Sequence, residues 1–524
     1  MAGSKNSKRS RPSKFKVSFG GAGQVLACFA VCCAVMAVAV YCFQATGATL
    51  YSGDAEAHLN IARRVVDSRT PGWAQLGTTW LPLPHLLMLP FVCYDSLWRT
   101  GLAGAIPSAL LMALAAAFLF ATVRRVMDGA LPAIVAAAVF LLNPNILYLG
   151  SIPMTEAASF ASMMALLYCT TVFGETQSWI SVVGAGLAAF AGSWSRYETW
   201  FLLPFAGLYI FVMGRERRWA AAAIFAAIAG AGPVSWFVHN WWYFGDPLYF
   251  YRGPWSAKAI QGAHPYPGRG DWRLAATYFY EAGKLVAGLP ALMIGVFGAA
   301  LVCANRRVVW PVAMVVMPPA FYIWSIHSSG TPVFVPHLEP HGWYNIRYAT
   351  AFVPLAAVGA AAISRFGRIA AVAVLLAVFA PFAWYWRKPP IVLEEAAHNS
   401  EGRREWTAKA VAVLQAQSGP GDTFFTSFND LTAIYRTLGI PLRNTLTGDN
   451  NPQFFMAQNR PEMFLWEEFA VAMGGDTVQG IVENTYLKGP KYDLVQRITV
   501  KGQPSIEIFR RQRFPNPTPL PDTQ

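Results

Sequence analysis

Long apolar segments recur along this 524-residue sequence up to about residue 385, and they constrain its fold more than any other feature. A helix needs roughly 20 apolar residues to cross the hydrocarbon core of a bilayer. The sequence therefore predicts a polytopic α-helical membrane protein with about 11 transmembrane helices. The fifth and sixth segments are short. The predicted spans are residues 24–43, 101–123, 130–149, 157–174, 179–193, 199–213, 219–239, 286–303, 308–325, 348–363 and 369–385.

The charge content excludes several other classes of protein. Only 13% of the residues are charged, whereas soluble globular proteins have about 25%. So few charges argue against a soluble enzyme, a disordered regulator or a fibrous protein. The formal net charge is +13, but no basic stripe with interleaved aromatic residues occurs, so no nucleic-acid partner is expected. The seven cysteines lie in or beside apolar segments and predict neither a disulfide framework nor a zinc knuckle.

The distribution of Lys and Arg predicts the orientation of the chain. Residues 1–20 form a basic tail, which we place in the cytoplasm by the positive-inside rule. A cleavable signal peptide is the competing interpretation of this region, but no clean cleavage site precedes a soluble domain. Alternate loops then carry Arg124, Arg215, Arg306 and Arg365 on the cytoplasmic side. The long loops and the C-terminal part become extracytoplasmic, in a multi-pass protein of a bacterial inner membrane.

The sequence after about residue 387 has a different character. A transmembrane catalytic domain is expected over residues 21–386, and a small extracytoplasmic α/β domain over residues 387–512. Helical periodicity appears in REWTAKAVAVLQAQ, whereas DTFFTS, VQGIVEN, YDLVQRITV and SIEIF resemble strands. Residues 513–524 are Pro-rich and predict a disordered tail.

The first long loop, within residues 44–100, contains two acidic residues close to the predicted membrane surface. Asp54 precedes a helical stretch, so it is either an N-cap or a catalytic carboxylate held over a membrane-facing cavity. Glu56 follows two residues later. A helix starting near residue 55 places Leu59, Ala62 and Val66 on one face, as in an amphipathic helix lying on the membrane.

Two further loops bring charged residues to the same predicted face. Glu156 in SIPMTEAAS is a second acidic candidate, although a helix N-terminus also favours Glu without any function. Arg196 and Glu198 in GSWSRYETW form either part of a binding site or an interfacial ion pair flanked by aromatic residues.

The loop before the tenth span is dense in polar and aromatic residues. His337, Glu339 and His341 have a spacing that is compatible with binding a divalent metal ion, but the motif lacks the helical spacing of zinc proteases. Arg347 and Tyr348 open the span. The planar guanidinium can bind two oxygens of a phosphate, although snorkelling is the alternative.

These motifs resemble those of the GT-C superfamily of integral-membrane glycosyltransferases, which includes protein O-mannosyltransferases and aminoarabinose transferases. The resemblance covers roughly residues 20–385. It rests on the acidic SGDAEAHLNIARR after the first span, the Pro-rich WLPLPHLL and the later PMTE, SRYE and YNIRY.

The resemblance implies that Asp54 is a catalytic base and that the donor is a polyprenyl-phosphate-linked sugar. We therefore expect an inverting transfer to an acceptor hydroxyl of a glycan, lipid or protein on the extracytoplasmic face. The expected catalytic residues are Asp54, Glu56 and Glu156, and the expected residues for donor phosphate and sugar are His85, Arg196, Glu198, Tyr344, Arg347 and Tyr348.

Two other classes remain open from the sequence. A metal-dependent oligosaccharide transferase would use Asp54, Glu56 and Glu156 as ligands. A transporter or lipid flippase would carry ionisable residues near the bilayer midplane, whereas here they cluster at the ends of the spans.

Overall fold

A computed structural model describes residues 19–261, 264–384, 388–428, 430–484 and 489–512 of the chain. Residues 1–18 of the predicted cytoplasmic tail and the whole predicted Pro-rich tail, 513–524, lie outside the described residues.

The first half of the chain is almost wholly helical. Short 3-10 turns at Ala48–Leu50 and Trp73–Leu76 flank the second helix. The helices are α1 (Phe19–Ala45), α2 (Gly53–Val66), α3 (Leu83–Val92), α4 (Asp95–Thr100), α5 (Leu102–Val126), α6 (Ala130–Leu141), α7 (Pro144–Leu149), α8 (Glu156–Thr176), α9 (Trp179–Ser193), α10 (Tyr197–Met213) and α11 (Arg218–Phe244).

The helical part continues to residue 384. A 3-10 segment, Ile346–Ala351, leads directly into α17. The helices are α12 (Tyr249–Arg252), α13 (Ala257–Gln261), α14 (Trp272–Val286), α15 (Leu289–Val302), α16 (Arg306–Ser328), α17 (Phe352–Ser364) and α18 (Arg368–Trp384).

Six helical segments of the described residues are long and apolar enough to cross a membrane, so the chain is a multi-pass membrane protein. They contain α1, α5, α8, α11, α16 and the segment Ile346–Ser364. A seventh is obtained if α14 and α15, which meet at a bend of 109°, count as one span. Five more apolar helices are only 10–17 residues long. The count of eleven spans therefore stays a prediction.

One predicted span, residues 130–149, is wrong as a continuous helix. It breaks between α6 and α7, where the side chain of Asn143 accepts hydrogen bonds from the backbone of Asn145 and Ile146 at 2.9 and 3.4 Å. Pro144 occupies the first position of α7, where its missing N–H costs nothing. An Asn-Pro pair is thus a helix-start signal inside an apolar run.

Small residues allow the spans to approach closely. A methyl group on Gly298 of α15 would lie 2.1 Å from the carbonyl oxygen of Gly359 on α17, so the backbones of these helices touch. Membrane helices associate through such small residues because lipid supplies no hydrophobic drive between them. This close packing keeps the ends of the helices, and the residues there, in fixed positions.

The C-terminal part contains a five-stranded mixed sheet surrounded by short helices. The strand order is β2-β1-β3-β5-β4, with β1 parallel to both β2 and β3 and with β5 antiparallel to both β3 and β4. The strands are β1 (Phe424–Thr426), β2 (Thr445–Leu446), β3 (Phe469–Met473), β4 (Tyr492–Ile498) and β5 (Ile506–Arg511). The helices are α19 (Ile391–Asn399), α20 (Glu401–Gln417), α21 (Thr432–Leu438), α22 (Gln453–Asn459), α23 (Pro461–Phe464) and α24 (Thr477–Asn484).

The structure confirms the helix over REWTAKAVAVLQAQ and three of the four predicted strands, and it corrects the fourth. VQGIVEN lies in α24, with Val478, Ile481 and Val482 buried at helical spacing. Asp476 accepts a hydrogen bond from the backbone of Gln479 at 2.8 Å and thereby caps the helix.

Helix α2 lies between the membrane helices and the C-terminal sheet domain. Its Arg64 is paired with Asp449, and Asp67 at its end is paired with Arg443 at 3.1 Å. The prediction of an amphipathic helix on the membrane surface is therefore wrong in part: Leu59 and Ala62 are buried, but protein covers the opposite face too. The first loop and the C-terminal domain consequently share one face of the helical bundle.

Candidate active site

Asp54 lies in the first turn of α2, where it binds Arg347. Arg347 Nη2 donates a hydrogen bond to Asp54 Oδ2. The N-cap of the helix is Ser52, so Asp54 does not have the capping role that was its alternative. Its side chain is 35% exposed, whereas that of Arg347 is 15% exposed. Arg347 is paired and largely buried, which also rules out free snorkelling.

Glu156 lies between two arginines. Its Oε1 is 3.0 Å from Arg196 Nη1 and 3.2 Å from Arg347 Nε. Only 5% of its side chain is exposed. Among the described residues, Oε2 of Glu156 has no hydrogen-bond partner, and neither has Nε of Arg347 in hydrogen-bond geometry. Buried polar atoms of this kind are rare and are a reason to look for a ligand.

Arg196 makes the largest number of side-chain hydrogen bonds in this region. It donates to Glu198 Oε1 at 2.6 Å, to Thr155 Oγ1 at 2.8 Å and to Tyr322 Oη at 2.9 Å. Tyr322 in turn donates to Glu198 at 3.0 Å. The predicted ion pair of Arg196 with Glu198 is present, but it is buried inside the protein instead of facing the membrane interface.

Tyr348 separates the two arginines. Its ring centroid is 5.2 Å from Cζ of Arg196 and 5.4 Å from Cζ of Arg347, and the ring stacks on Tyr322 at 4.9 Å. The aromatic face attracts both cations. We call the set Asp54, Glu156, Arg196, Glu198, Tyr322, Arg347 and Tyr348 the carboxylate–arginine cluster.

The cluster borders a cavity of about 20 Å³, lined among others by Glu156, Glu198, Arg347 and Tyr348. This is room for about one water molecule. A sugar can enter only if side chains separate.

Two carboxylates near Arg347 have opposite shifts of pKa. Burial raises the pKa of Asp54, but the charges of Arg347 and His58 outweigh burial and bring the pKa below its usual value. Burial also raises the pKa of Glu395 on α19, here to about 7, and Arg347 only partly offsets it. Glu395 accepts a hydrogen bond from the backbone of Ile346 at 3.0 Å. Asp54 is thus ionised at neutral pH, whereas Glu395 titrates close to neutral pH.

A pair of buried histidines adjoins the cluster. His58 lies one helical turn after Asp54, and its Nδ1 is 2.9 Å from Nε2 of His85. The ring of His58 packs on Trp80, with 4.6 Å between the ring centroids. Burial lowers the pKa of His58 to about 4 and that of His85 well below its usual value. His85, predicted for donor binding, is fully buried and lies behind His58.

The structure does not bring Glu56 into the cluster. Residues two apart on a helix point to different faces. Glu56 accepts hydrogen bonds from Arg436 at 2.7 Å and from Asn60 at 3.0 Å, on the side of the C-terminal domain. Tyr344 lies at the edge of the site, where Phe334 pairs with its backbone and its hydroxyl accepts from Gln261 at 3.3 Å.

The predicted metal ligands do not converge. His337 binds Glu281 at 3.0 Å, while His341 lies 3.4 Å from Glu339. The side chains of all three predicted ligands are exposed. Within the described part of the chain, no three His, Cys, Asp or Glu side chains could hold a metal ion together. Asp54, Glu56 and Glu156, the other ligand set considered, each bind an arginine.

Four residues near the predicted site were missed from the sequence: Thr155, Tyr322, His58 and Glu395. His58 had a signal, because the spacing of four from Asp54 places it on the same helical face. Tyr322 inside a span and Glu395 in the C-terminal part had none, since only the tertiary fold brings them to Arg347.

One part of the chain matches a known family. Residues 98–243 match the family model described as dolichyl-phosphate-mannose-protein mannosyltransferase. This range contains Glu156, Arg196 and Glu198 but neither Asp54 nor Arg347. Comparison with curated proteins finds no match.

A particular solved structure with a similar fold is that of ArnT from Cupriavidus metallidurans bound to undecaprenyl phosphate. The TM-score is 0.55 at 14% sequence identity, and the match covers 93% of this chain and 98% of ArnT. The two comparisons confirm the resemblance to the GT-C superfamily that the sequence motifs predict.

Proposed function

We propose that this chain is a membrane glycosyltransferase that moves a sugar from a polyprenyl-phosphate donor to an acceptor hydroxyl, with inversion and with Asp54 as general base. The observation that carries the proposal is the ion pair between Asp54 and Arg347. It joins a carboxylate from the first loop to a guanidinium 293 residues later, beside a buried cluster at the ends of apolar helices. The ArnT structure, which shares the fold, contains undecaprenyl phosphate.

Inverting transfer needs a base on one side of the sugar and a cation for the leaving phosphate on the other. Asp54 and Arg347 are in contact, so they have to separate when the sugar enters. The donor phosphate replaces Asp54 on Arg347, because both are oxyanions and the guanidinium can bind two phosphate oxygens.

This exchange activates the base. Arg347 is the nearest charge that lowers the pKa of Asp54. Once the phosphate neutralises it, the pKa of Asp54 rises towards the working pH, where a general base is most effective. Arg196 stays bound to Glu198 and Glu156 and positions Tyr348. Donor binding thus prepares Asp54 to take the proton of the acceptor hydroxyl.

The test uses purified protein in lipid nanodiscs with radiolabelled polyprenyl-phosphate hexoses and pentoses. We expect release of polyprenyl phosphate and a product of opposite anomeric configuration, which nuclear magnetic resonance measures. Nucleotide sugars should give no transfer. Retention of configuration, or transfer from nucleotide sugars alone, would contradict the proposal.

A chelator arm of the same assay addresses the alternative. If transfer stops with chelator and returns with a divalent cation, the metal-dependent oligosaccharide transferase replaces this mechanism.

The location of the site is part of the proposal. Reporter fusions at Gly214, between α10 and α11, and at Gly421, in the C-terminal domain, should report the cytoplasm and the extracytoplasmic side, respectively. Identical locations would contradict the proposed orientation of the site.

A further inference from the structure

A second cavity lies on the other side of α2, between the first loop and the C-terminal domain. Its volume is about 500 Å³, within the range of about 300 to 1,000 Å³ that small-molecule sites occupy. The start of α2, the helix α20 and the helix α21 form its walls. Apolar side chains of α20 and three arginines, Arg403, Arg404 and Arg436, line it. We call it the basic groove.

Two of these arginines have no negative partner among the described residues. Arg436 is neutralised by Glu56 at 2.7 Å. Arg403 donates to the carbonyl oxygen of Tyr51 at 2.6 Å, and Arg404 donates to Ser400 Oγ at 3.2 Å and lies 4.2 Å from the ring centroid of Tyr51. These neutral contacts hold both guanidinium groups in place without satisfying their charge. Their positive field attracts an anion.

One wall of the groove contacts the residue that precedes the proposed catalytic base. A methyl group on Gly53 would lie 2.7 Å from Nη1 of Arg403, so this guanidinium packs directly on the residue before Asp54. Asp54 points to Arg347 on the far side, whereas Glu56 points into the groove. A molecule bound by Arg403 would therefore lie beside Gly53, the residue that precedes Asp54.

We propose that the basic groove binds the acceptor, and that the acceptor carries a phosphate group which Arg403 and Arg404 hold. The inference rests on the proposed function and adds the chemistry of the substrate. The phosphate serves as an anchor, while a hydroxyl elsewhere on the same molecule meets Asp54. The anchor belongs to either a phosphorylated glycan or the headgroup of a phospholipid, and both present the same oxyanion.

The experiment measures protection of arginines from phenylglyoxal in the full-length protein in detergent, with peptide mass spectrometry as the readout. The probes are glucose 6-phosphate, dioctanoyl phosphatidic acid and, as the neutral control, glucose. We expect one phosphate probe to protect Arg403 and Arg404 and glucose to leave them reactive. The probe that protects identifies the source of the phosphate. Equal protection by glucose, or none by either phosphate, overturns the proposal.

A variant pair supports the assignment. Arg403→Gln/Arg404→Gln should weaken binding of the protecting probe about tenfold or more for each arginine, because each loses a charge-assisted hydrogen bond. Arg460→Gln, which changes an exposed arginine outside the groove, should leave it unchanged. Unchanged binding in the double variant contradicts the inference.

Binding of undecaprenyl phosphate is measured in the same preparations. If the double variant binds both undecaprenyl phosphate and the phosphate probe as the wild-type protein does, only the groove inference fails. If the wild-type protein does not bind it, the proposed function fails.

Discussion

Helix α2 contributes buried charges to two different regions, and their contrast separates a candidate catalytic site from a structural contact. Its start supplies Asp54 to the carboxylate–arginine cluster. Its end supplies Arg63, Arg64 and Asp67 to contacts with α4 and the C-terminal domain, which we call the domain contact.

The two regions satisfy their charges differently. In the domain contact, Arg63 binds Asp67 at 2.8 Å, Asp95 at 2.6 Å and the carbonyl oxygen of Val92 at 2.5 Å. Asp67 also accepts from the backbone of Leu442 at 3.2 Å. In the cluster, Glu156 is shared by two arginines and keeps one oxygen without a partner among the described residues. Arg63 and Asp67 thus use their bonding capacity within the fold, although Nε of Arg64 in the same contact also lacks a partner among the described residues. The free carboxylate oxygen of Glu156, by contrast, leaves bonding capacity for a ligand inside the cluster.

The largest expected effect separates the regions by turnover. Asp54→Asn should lower transfer by a factor of about 10² to 10⁴, because the amide cannot take the proton of the acceptor. The assay measures sugar transfer by purified protein at saturating donor. The same variant should still bind undecaprenyl phosphate.

Glu405→Gln is the control, since it changes an exposed carboxylate that pairs with Lys409 and lies outside both the cluster and the basic groove. If Asp54→Asn turns over at the normal rate, Asp54 is not the base.

The second prediction concerns stability in the domain contact. Asp67→Asn removes one of the two carboxylates that pair with the buried Arg63, while Asp95 remains at 2.6 Å. The loss should therefore stay below the about 3 to 5 kcal/mol that breaking a whole buried ion pair costs. The midpoint of thermal unfolding should fall clearly. Glu405→Gln, which removes an exposed pair with Lys409, should change the unfolding free energy by less than about 1 kcal/mol. Equal midpoints for both variants would mean that the domain contact is not a stabilising element.

The third prediction tests the donor side of the cluster. Arg347→Ala should weaken donor binding by about 1.5 to 3 kcal/mol, the usual contribution of a hydrogen bond to a charged group. Arg347→Lys should restore it only in part, because an ammonium cannot bind two oxygens side by side. Equilibrium binding of undecaprenyl phosphate measures both. If neither variant binds more weakly, Arg196 is the next candidate for the phosphate.

The sequence predicted the cluster better than it predicted its surroundings. Asp54, Glu156, Arg196 and Arg347 were found because a charged residue at the end of an apolar segment is costly unless it has a partner. Which partner each one chooses was not predictable. Asp54 and Glu56 differ by two positions in sequence, and only helical geometry directs them to opposite regions.

Other misses have local physical causes. The apolar run 130–149 hid the Asn143 cap, because hydropathy averages over single residues. VQGIVEN contains alternating and helical spacing at once, and the cap at Asp476 decides for the helix. Glu395 is 49 residues from Ile346, from whose backbone N–H it accepts a hydrogen bond, so no local pattern could place it next to the cluster.

The smallest expected effect is on the pH dependence of stability, to which His58 and Glu395 contribute in opposite directions. His58 keeps a pKa of about 4 when folded but about 6.5 when unfolded, so between these values the unfolded chain binds more protons. Its contribution to stability is present above pH 6.5 and is lost as the pH falls towards 4. Glu395 acts oppositely: its pKa rises from 4.5 to about 7, so its contribution is present below pH 4.5 and is lost as the pH rises through 7.

The two variants should therefore tilt the stability curve in opposite directions. As the pH falls from 6.5 to 4, the midpoint of thermal unfolding should decrease less in His58→Gln than in the wild type. It should decrease more in Glu395→Gln. Asp54 interferes little, because Arg347 lowers the pKa of Asp54, so the contribution of Asp54 is lost only at a more acidic pH. Midpoints are measured for both variants and the wild type in one buffer series. Parallel curves for all three proteins would show that neither residue changes its pKa on folding, and the electrostatic description of the residues around the cluster would then be wrong.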